Sequence, residues 1–241
     1  MTWSIVARDP ASGAFGVAIS TKFFAVGALC PHAMSGVGAL SSQALTNPMY
    51  GPRALRLLAE GVPAPDVVRL LTEPDPGSLI RQVHCIDAQG RVAAHTGTGC
   101  IDWCGHKPGD GFSVAGNMLA GQAVVEQTHA AYRANLDRPF AERLMRALEA
   151  GEAAGGDKRG KQSAALLIYS NEEYADYDLR VDDHPDPLKE LRRLLAMYLA
   201  DFIMFREVLP TRARPHGIYD RAKIEEVRAR RLGAKPAGTK S

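Results

Sequence analysis

Thr2 follows Met1, and a residue this small lets an aminopeptidase remove the methionine, leaving a threonine with a free α-amine. A hydroxyl is a poor nucleophile at its own pKa, but an α-amine with a pKa of about 7.7–8.0 is partly neutral in a cell and can take the hydroxyl proton. One residue would then supply nucleophile and base together. The alternative is structural: Thr2 is a β-branched residue opening a strand. Asn117 lies in Ala-Gly-Asn-Met-Leu-Ala-Gly, where the glycines let backbone N–H groups come close to a ligand. With the Asn117 amide they could form an oxyanion hole, and a turn asparagine is the other reading.

Charged residues gather at three further places. Arg8 and Asp9 flank the first turn, where they pair with each other or bind an anionic substrate. Asp157, Arg159, Gln162 and Ser163 stand at the start of an apolar stretch behind a glycine-rich turn, and polar groups entering a core need partners or a purpose. A wall of a substrate pocket is the expected use. Asp178, Arg180, Asp182, Asp183, His184 and Asp186 could hold a metal, but the order lacks the EF-hand pattern and Arg180 would oppose a cation. A salt-bridged strand end followed by a His-Pro turn is expected there. Cys100, Cys104 and His106 have the wrong spacing for a paired zinc knuckle, and apart from His95 and His106 nothing nearby would activate Cys100 as a thiolate. No metal and no cofactor is expected.

The elements that must position these groups follow from patterning. Residues 3–7 and 15–20 flank a Pro-Ala-Ser-Gly turn and read as a hairpin, a strand pair is expected around 36–43, and Val83–Asp87 with Val92–Thr96 forms another hairpin. Apolar residues at helical spacing predict helices over 51–60, 65–72, 122–134, 139–150 and 188–205, with a charge-laced helix over 219–231. Residues 97–121 read as a long loop that re-enters a strand near 112–114, and 162–169 and 177–181 as strands. Strands arriving in hairpins and helices in pairs fit antiparallel sheets covered by helices better than a doubly wound parallel sheet.

Composition is ordinary for a globular domain, with 46% apolar and 23% charged residues in 241. No apolar run reaches the ~18–20 residues of a membrane span, and the start lacks the basic and apolar regions of a signal peptide, so the cytoplasm is the expected location. Four cysteines are too few for a disulfide framework. The net charge of +2 is uneven, because residues 209–241 hold nine Lys/Arg against three acids, which leaves the first 208 residues at −4. Expected domains are 1–208 and a basic helical tail, 209–241. With Tyr219 its single aromatic, the tail offers bases little to stack on, and nucleic acid is not an expected partner. Helix 188–205 carries Leu191, Leu194, Leu195, Tyr198, Leu199, Phe202, Ile203 and Phe205 around much of its circumference, from which a homodimer or larger oligomer is expected.

Seven blocks in order, MTWSIVARDPASGAFGVAIS, TKFFAVGA, GVGALSSQALTNPMYG, RQVHCIDAQGRVAAHTGTGC, GNMLAG, GGDKRGKQSAALL and DLRVDDHPDP, resemble the bacterial family called domain of unknown function 1028 over about residues 1–195. That resemblance implies membership of the N-terminal-nucleophile (Ntn) hydrolase superfamily and therefore an α+β, four-layer αββα sandwich. By position Thr2 resembles the superfamily's nucleophile, and Lys22 the cation that the proteasome branch sets beside its threonine. A nearby cation would keep the amine in its neutral, basic form. The implied activity is cleavage of a small-molecule or peptide-like amide without a cofactor; fold membership alone is not an activity.

Overall fold

The computed structural model describes residues 2–232, which begin in the strand β1 (Thr2–Arg8) and its hairpin partner β2 (Phe15–Thr21). The chain forms two compact units, the first running through Arg192 and the second from Arg193. The compositional boundary at 208/209 falls inside the second.

In the first unit β1 and β2 are followed by β3 (Pro31–Met34), β4 (Gly38–Ala44), α1 (Tyr50–Ala59), α2 (Ala64–Thr72), β5 (Arg81–Asp87) and β6 (Val92–Thr96). Next come β7 (Trp103–Gly109), β8 (Phe112–Leu119), α3 (Gln122–Ala134), α4 (Phe140–Ala153), β9 (Ser163–Tyr169) and β10 (Tyr177–Val181). The strands make a six-stranded sheet in the order β10-β9-β2-β1-β8-β7 and a four-stranded one in the order β3-β4-β5-β6. Every pairing is antiparallel. α1 and α2 cover the smaller sheet, α3 and α4 cover the larger, and the sheets face each other. This is the α+β, four-layer αββα sandwich that the resemblance implied.

Alternation along the strands explains the layers. Leu40, Val83 and Cys85 point outward from the smaller sheet and pack with Tyr50, Ala54, Leu58, Val67 and Leu71 of α1 and α2. Val6, Phe15, Val17, Ala39 and Ile86, displaced by one residue along their strands, fill the space between the sheets. On the opposite face of β1, Trp3 meets α4 where Gly151 stands. A Cβ there would lie 2.3 Å from Thr128 Oγ1 and 2.6 Å from Trp3 Nε1, so the absence of a side chain lets α4 approach both α3 and β1. β1 is buried on both faces, as a central strand of this architecture must be.

Three expectations are corrected. Residues 97–121 are not mainly loop, since β7 and β8 make a hairpin across most of them. The segment Trp-Cys-Gly-His-Lys-Pro-Gly lacks strand alternation and becomes a strand because β8 offers it a partner; Pro108 is tolerated because β7 is an edge. The strand pair near 36–43 is β3 with β4, its turn falling at 35–37. The expected helix 188–205 is α5 (Pro187–Met197), which continues through a π-helical stretch (Tyr198–Phe202) before α6 (Phe205–Val208). The tail helix is α7 (Arg221–Leu232). Residues 233–241 lie outside the described residues.

Arg8 and Asp9 stand at the β1–β2 turn. They sit at the far end of β1 from Thr2, roughly 20 Å away at ~3.3 Å per residue. Asp9 is buried, accepts hydrogen bonds from the Ser12 N–H and hydroxyl, and pairs with the buried Arg143 of α4 at 2.5 Å. The pair fastens the β1–β2 turn to the helical layer. Burial by itself would raise the Asp9 pKa, but the bonds from Ser12 and Arg143 outweigh it and hold the carboxyl below its ordinary value. Arg143→Met would leave that carboxylate buried and unpaired, with an expected loss of about 3–5 kcal/mol in urea unfolding. Because the folded pKa is depressed, the pair's contribution is complete above the unfolded carboxyl's pKa and lost as pH falls below it. Stability of the wild type, but not of Asp9→Asn, should therefore drop over that acidic range through this group.

Candidate active site

Register brings the chemistry together. β1 lies between β2 and β8, so Thr2 faces Thr21 on one side and Asn117 on the other, while Thr21 faces Ser163 of β9. Directly opposed residues share a sheet face. Four neighbouring strands thus present a row of hydroxyl and amide side chains at one end of the sandwich. Thr2 is 5% exposed, and its hydroxyl lies 3.1 Å from that of Thr21.

Behind this row the space between the sheets is polar. The two protons of Gln82 Nε2 are shared among the carbonyls of Gly116 (2.9 Å) and Gly105 (3.1 Å) and Thr96 Oγ1 (2.8 Å), which fixes the orientation of its amide. Its Oε1 accepts from Asn117 Nδ2 at 3.0 Å and from Gln43 Nε2 at 2.8 Å. Gln43 Oε1 in turn accepts from the Ser4 and Ser41 hydroxyls at 2.6 and 3.0 Å. Ser4 has one proton and gives it to Gln43, so His84 must donate to Ser4 through Nε2 (2.8 Å) and accept from the Ser113 hydroxyl through Nδ1 (3.2 Å). Apart from the half-buried Thr96 and Gly105, every member of this chain is buried. Burial, with the neighbouring His106, lowers the His84 pKa to about 3. The ring is neutral in the folded protein.

One acceptor in the network has no partner among the described residues: Asn117 Oδ1, buried beside Thr2. Asn117 also lines a cavity of about 300 Å³ whose walls include Leu45, Ile80, Cys100, Ile101 and Met118, none of them charged. The backbone around it is strained. Ala44 (φ 67°), Asp102 (φ 55°) and Met118 (φ 53°) are three of the four non-glycine residues with positive φ among the described residues; Ala44 and Met118 line the cavity and Asp102 follows Ile101. Such conformations cost on the order of 1–3 kcal/mol each and gather where a site needs them.

The other expected residues divide. Lys22 is exposed, and its ammonium donates to the Lys161 carbonyl at 3.4 Å, so it reaches out along the surface while the Thr2 hydroxyl bonds Thr21. Its backbone N–H is held by Asp157 at 2.7 Å, and the fully buried Asp157 carboxylate also takes the Arg159 N–H and guanidinium. Asp157 thus clamps the turn after β2. The Ser163 hydroxyl donates to the Phe23 carbonyl at 2.5 Å and accepts from the Val26 N–H, fixing the next residues of the same loop. Gln162 bonds Asp183, and Arg159 is exposed. This cluster supports the β2 side of the row and is not among the cavity walls.

Lys161 with Asp186 and Arg180 with Asp182 make the ion pairs expected at the end of β10, and the His184 ring accepts the Asp186 N–H at 2.9 Å. No group of three or more His, Cys, Asp or Glu among the described residues is placed to hold a metal. Burial pushes the Cys100 thiol above its ordinary pKa, the wrong direction for a nucleophile.

Ser4, Thr21, Ser41, Gln43, Gln82 and Ser113 were not singled out in the sequence. A signal was there: in strands otherwise apolar, polar residues recur at every second position, as Thr2 and Ser4, Ser41 and Gln43, Gln82 and His84.

A four-layer sandwich with a buried hydroxyl at the mouth of its central strand, backed by a buried amide network, is the class that fold and site define. The chain belongs to the family of unknown function DUF1028, whose model matches residues 2–191. It is similar to protein SPO2555 from Silicibacter pomeroyi, with 31% identity over 91% of this chain and 99% of that one and a TM-score of 0.84. Two ancestral β-subunit (Anbu) structures are far looser likenesses: one from Yersinia bercovieri at 14% identity, covering 86% and 98% of the two chains, and one from Hyphomicrobium at 13%, covering 83% and 95%. Both have a TM-score of 0.38. No curated protein matches. Among the described residues no helix is long and apolar enough to cross a membrane.

Because His84 is neutral when folded and regains an ordinary pKa of 6.5 when unfolded, the unfolded chain binds more protons between pH 6.5 and 3. The stability that depends on the neutral ring is complete above that window and lost as pH falls through it. Urea midpoints across it should fall for the wild type with a slope of up to one proton, and more gently for His84→Gln.

Proposed function

We propose that this protein is an amidohydrolase of the N-terminal-nucleophile type, cytoplasmic and independent of any cofactor, that cleaves a small-molecule or peptide-like amide through Thr2 once Met1 is removed. The observation that carries the reading is the setting of Thr2: first residue of the central strand, flanked by Thr21 and Asn117, beside an uncharged cavity with a strained rim. Met1 itself lies outside the described residues.

In the proposed reaction the Thr2 α-amine takes the hydroxyl proton as Oγ1 bonds to the amide carbonyl carbon, and the carbonyl electrons move onto oxygen. The Thr21 hydroxyl orients the nucleophile. Asn117 gives one N–H to Gln82 and has a second for the oxyanion, beside backbone N–H groups at the end of β8. Collapse breaks the C–N bond and passes the proton to the leaving amine. Water then enters by the same base and releases the acid. Lys22 has no part in proton transfer on this reading, since its ammonium is turned to Lys161; Asp157, Ser163, Gln162 and Arg159 steady the loop beside β2. The competing reading, a non-catalytic sandwich that binds a ligand or partner, is favoured by the low exposure of Thr2.

Purified protein screened on small amides, lactams and N-acyl amino acids, with intact mass to verify the start, separates the two. Thr2→Ala should fall to the uncatalysed rate and Thr2→Ser should keep measurable turnover. Retention of Met1 should cost about 10²–10⁴-fold, the usual worth of a positioned base. Lys22→Met should leave the acidic limb of the rate profile in place; an upward shift would restore the cation to the site. A mass beginning at Met1 in active protein would end the amine-assisted mechanism.

Assembly is part of the same proposal. In the second unit Leu199, Phe202 and Phe205 are each nearly half exposed, with Leu209 beside them in sequence, whereas Leu191 and Leu195 are buried within the chain. The exposed set supports a homodimer or larger homo-oligomer. Light scattering at micromolar concentration should give at least twice the chain mass, and Phe202→Glu with Phe205→Glu should reduce it to the monomer.

A further inference from the structure

The cavity beside Asn117 has a chemistry of its own. Leu45 and Ile101 are each 60% exposed and Ile80 is 42% exposed, although these large apolar side chains line a concave site. Loop hydrogen bonds hold them together: the Leu45 N–H donates to the Ile80 carbonyl at 3.2 Å and the Gly99 N–H to the Leu79 carbonyl at 2.7 Å. Leu79, the residue before Ile80, is 59% exposed.

The charges next to these walls are already matched. Arg81 follows Ile80, but its Nε pairs with Asp75 at 2.9 Å and its Nη1 donates to the Leu45 and Thr46 carbonyls. Asp102 follows Ile101 and pairs with Lys158 at 3.0 Å. A charged ligand group entering the cavity would meet no counter-ion on its walls and would lose hydration without replacement. An apolar group would cover the rim and leave water.

We propose that the cavity bounded by Leu45, Ile80, Ile101 and Met118 takes an uncharged, apolar acyl chain, so that the substrates are N-acyl amides of medium-chain fatty acids. This rests on the amidohydrolase reading for turnover and on the cavity alone for binding. Its volume of about 300 Å³ and open apolar rim suit a chain longer than acetyl.

The test has a hydrolytic and a binding arm. Mature protein is assayed on 4-nitroanilides of acetic, butanoic, hexanoic and octanoic acids and on the succinyl anilide, at constant leaving group. kcat/KM should rise about 4-fold per methylene from butanoyl to hexanoyl, the equivalent of ~0.8 kcal/mol each, with succinyl at background. Ile101→Glu, on an exposed loop where folding should tolerate it, should flatten the series. In parallel, calorimetry on Thr2→Ala measures acetamide, hexanamide, octanamide and succinamate, and affinity should rise with chain length in the same way. Absence of hydrolysis with chain-dependent binding would leave the acyl site standing and remove the amidohydrolase reading. Equal turnover of butanoyl and succinyl anilides, a flat series, chain dependence unaltered by Ile101→Glu, or no chain-dependent binding by Thr2→Ala would overturn the acyl site.

Discussion

The amide of Gln82 is the constraint on which the site depends. It is fully buried between two sheets, where an unmatched polar group costs about 1–3 kcal/mol, and its orientation follows from the carbonyls of Gly105 and Gly116 that accept its N–H groups. Once those bonds set which end is oxygen, Asn117 and Gln43 must present N–H to it, and Gln43 must present oxygen to Ser4 and Ser41. The sense of the chain then assigns the His84 proton to Nε2. Asn117 is left with Oδ1 beside Thr2 and with one further N–H. The side chain next to the candidate nucleophile is therefore oriented by a residue of β5 in the facing sheet.

The space between the sheets thus has two halves of different character. Away from Thr2 it is filled by Val6, Phe15, Val17, Ala39 and Ile86, which exclude water and hold the sheets at a fixed separation. Toward Thr2 these strands carry serine, threonine, glutamine and histidine, and β8 adds Asn117. A hydrophobic contact is non-directional, whereas a hydrogen-bonded network tolerates one arrangement. The apolar half supplies stability and the polar half supplies orientation, and β1 runs through both.

Carboxylates complete the frame, Asp157 and Asp9 buried and Asp75 half-buried. Asp157 holds the turn after β2 through the Lys22 N–H, Asp9 ties the opposite turn to α4, and Asp75 gathers Asn47, Tyr50 and Arg81 behind the loop that carries Leu45. Tyr50 is the group most affected there: burial and the Asp75 carboxylate raise its pKa well above the ordinary tyrosine value. Each carboxylate satisfies backbone or side-chain donors that the loops would otherwise bury unpaired. Of the strained residues, Ala44 ends β4 paired with Arg81 of β5, and Met118 falls at the irregularity in the β7–β8 pairing.

Much of this fold was legible in the sequence. The hairpins at β1–β2 and β5–β6 announce themselves by turn residues between β-rich runs, and α1 to α4 by apolar spacing, because those signals are local. Thr2 and Asn117 could be singled out by chemical type, and the family blocks tied them to one fold. What the sequence could not decide was proximity. Lys22 lies one residue past Thr21, the strand partner of Thr2, yet its ammonium goes to Lys161, since a side chain at a strand end follows the loop it leaves by. Arg8 and Asp9 are near Thr2 in number but a strand length away in space. β7 became a strand only because β8 offered its edge, and Gln82 became the centre of the site only because two sheets closed over it. Periodicity assigns a residue to a face, and only the packing of two faces determines which polar groups meet and which way each must turn.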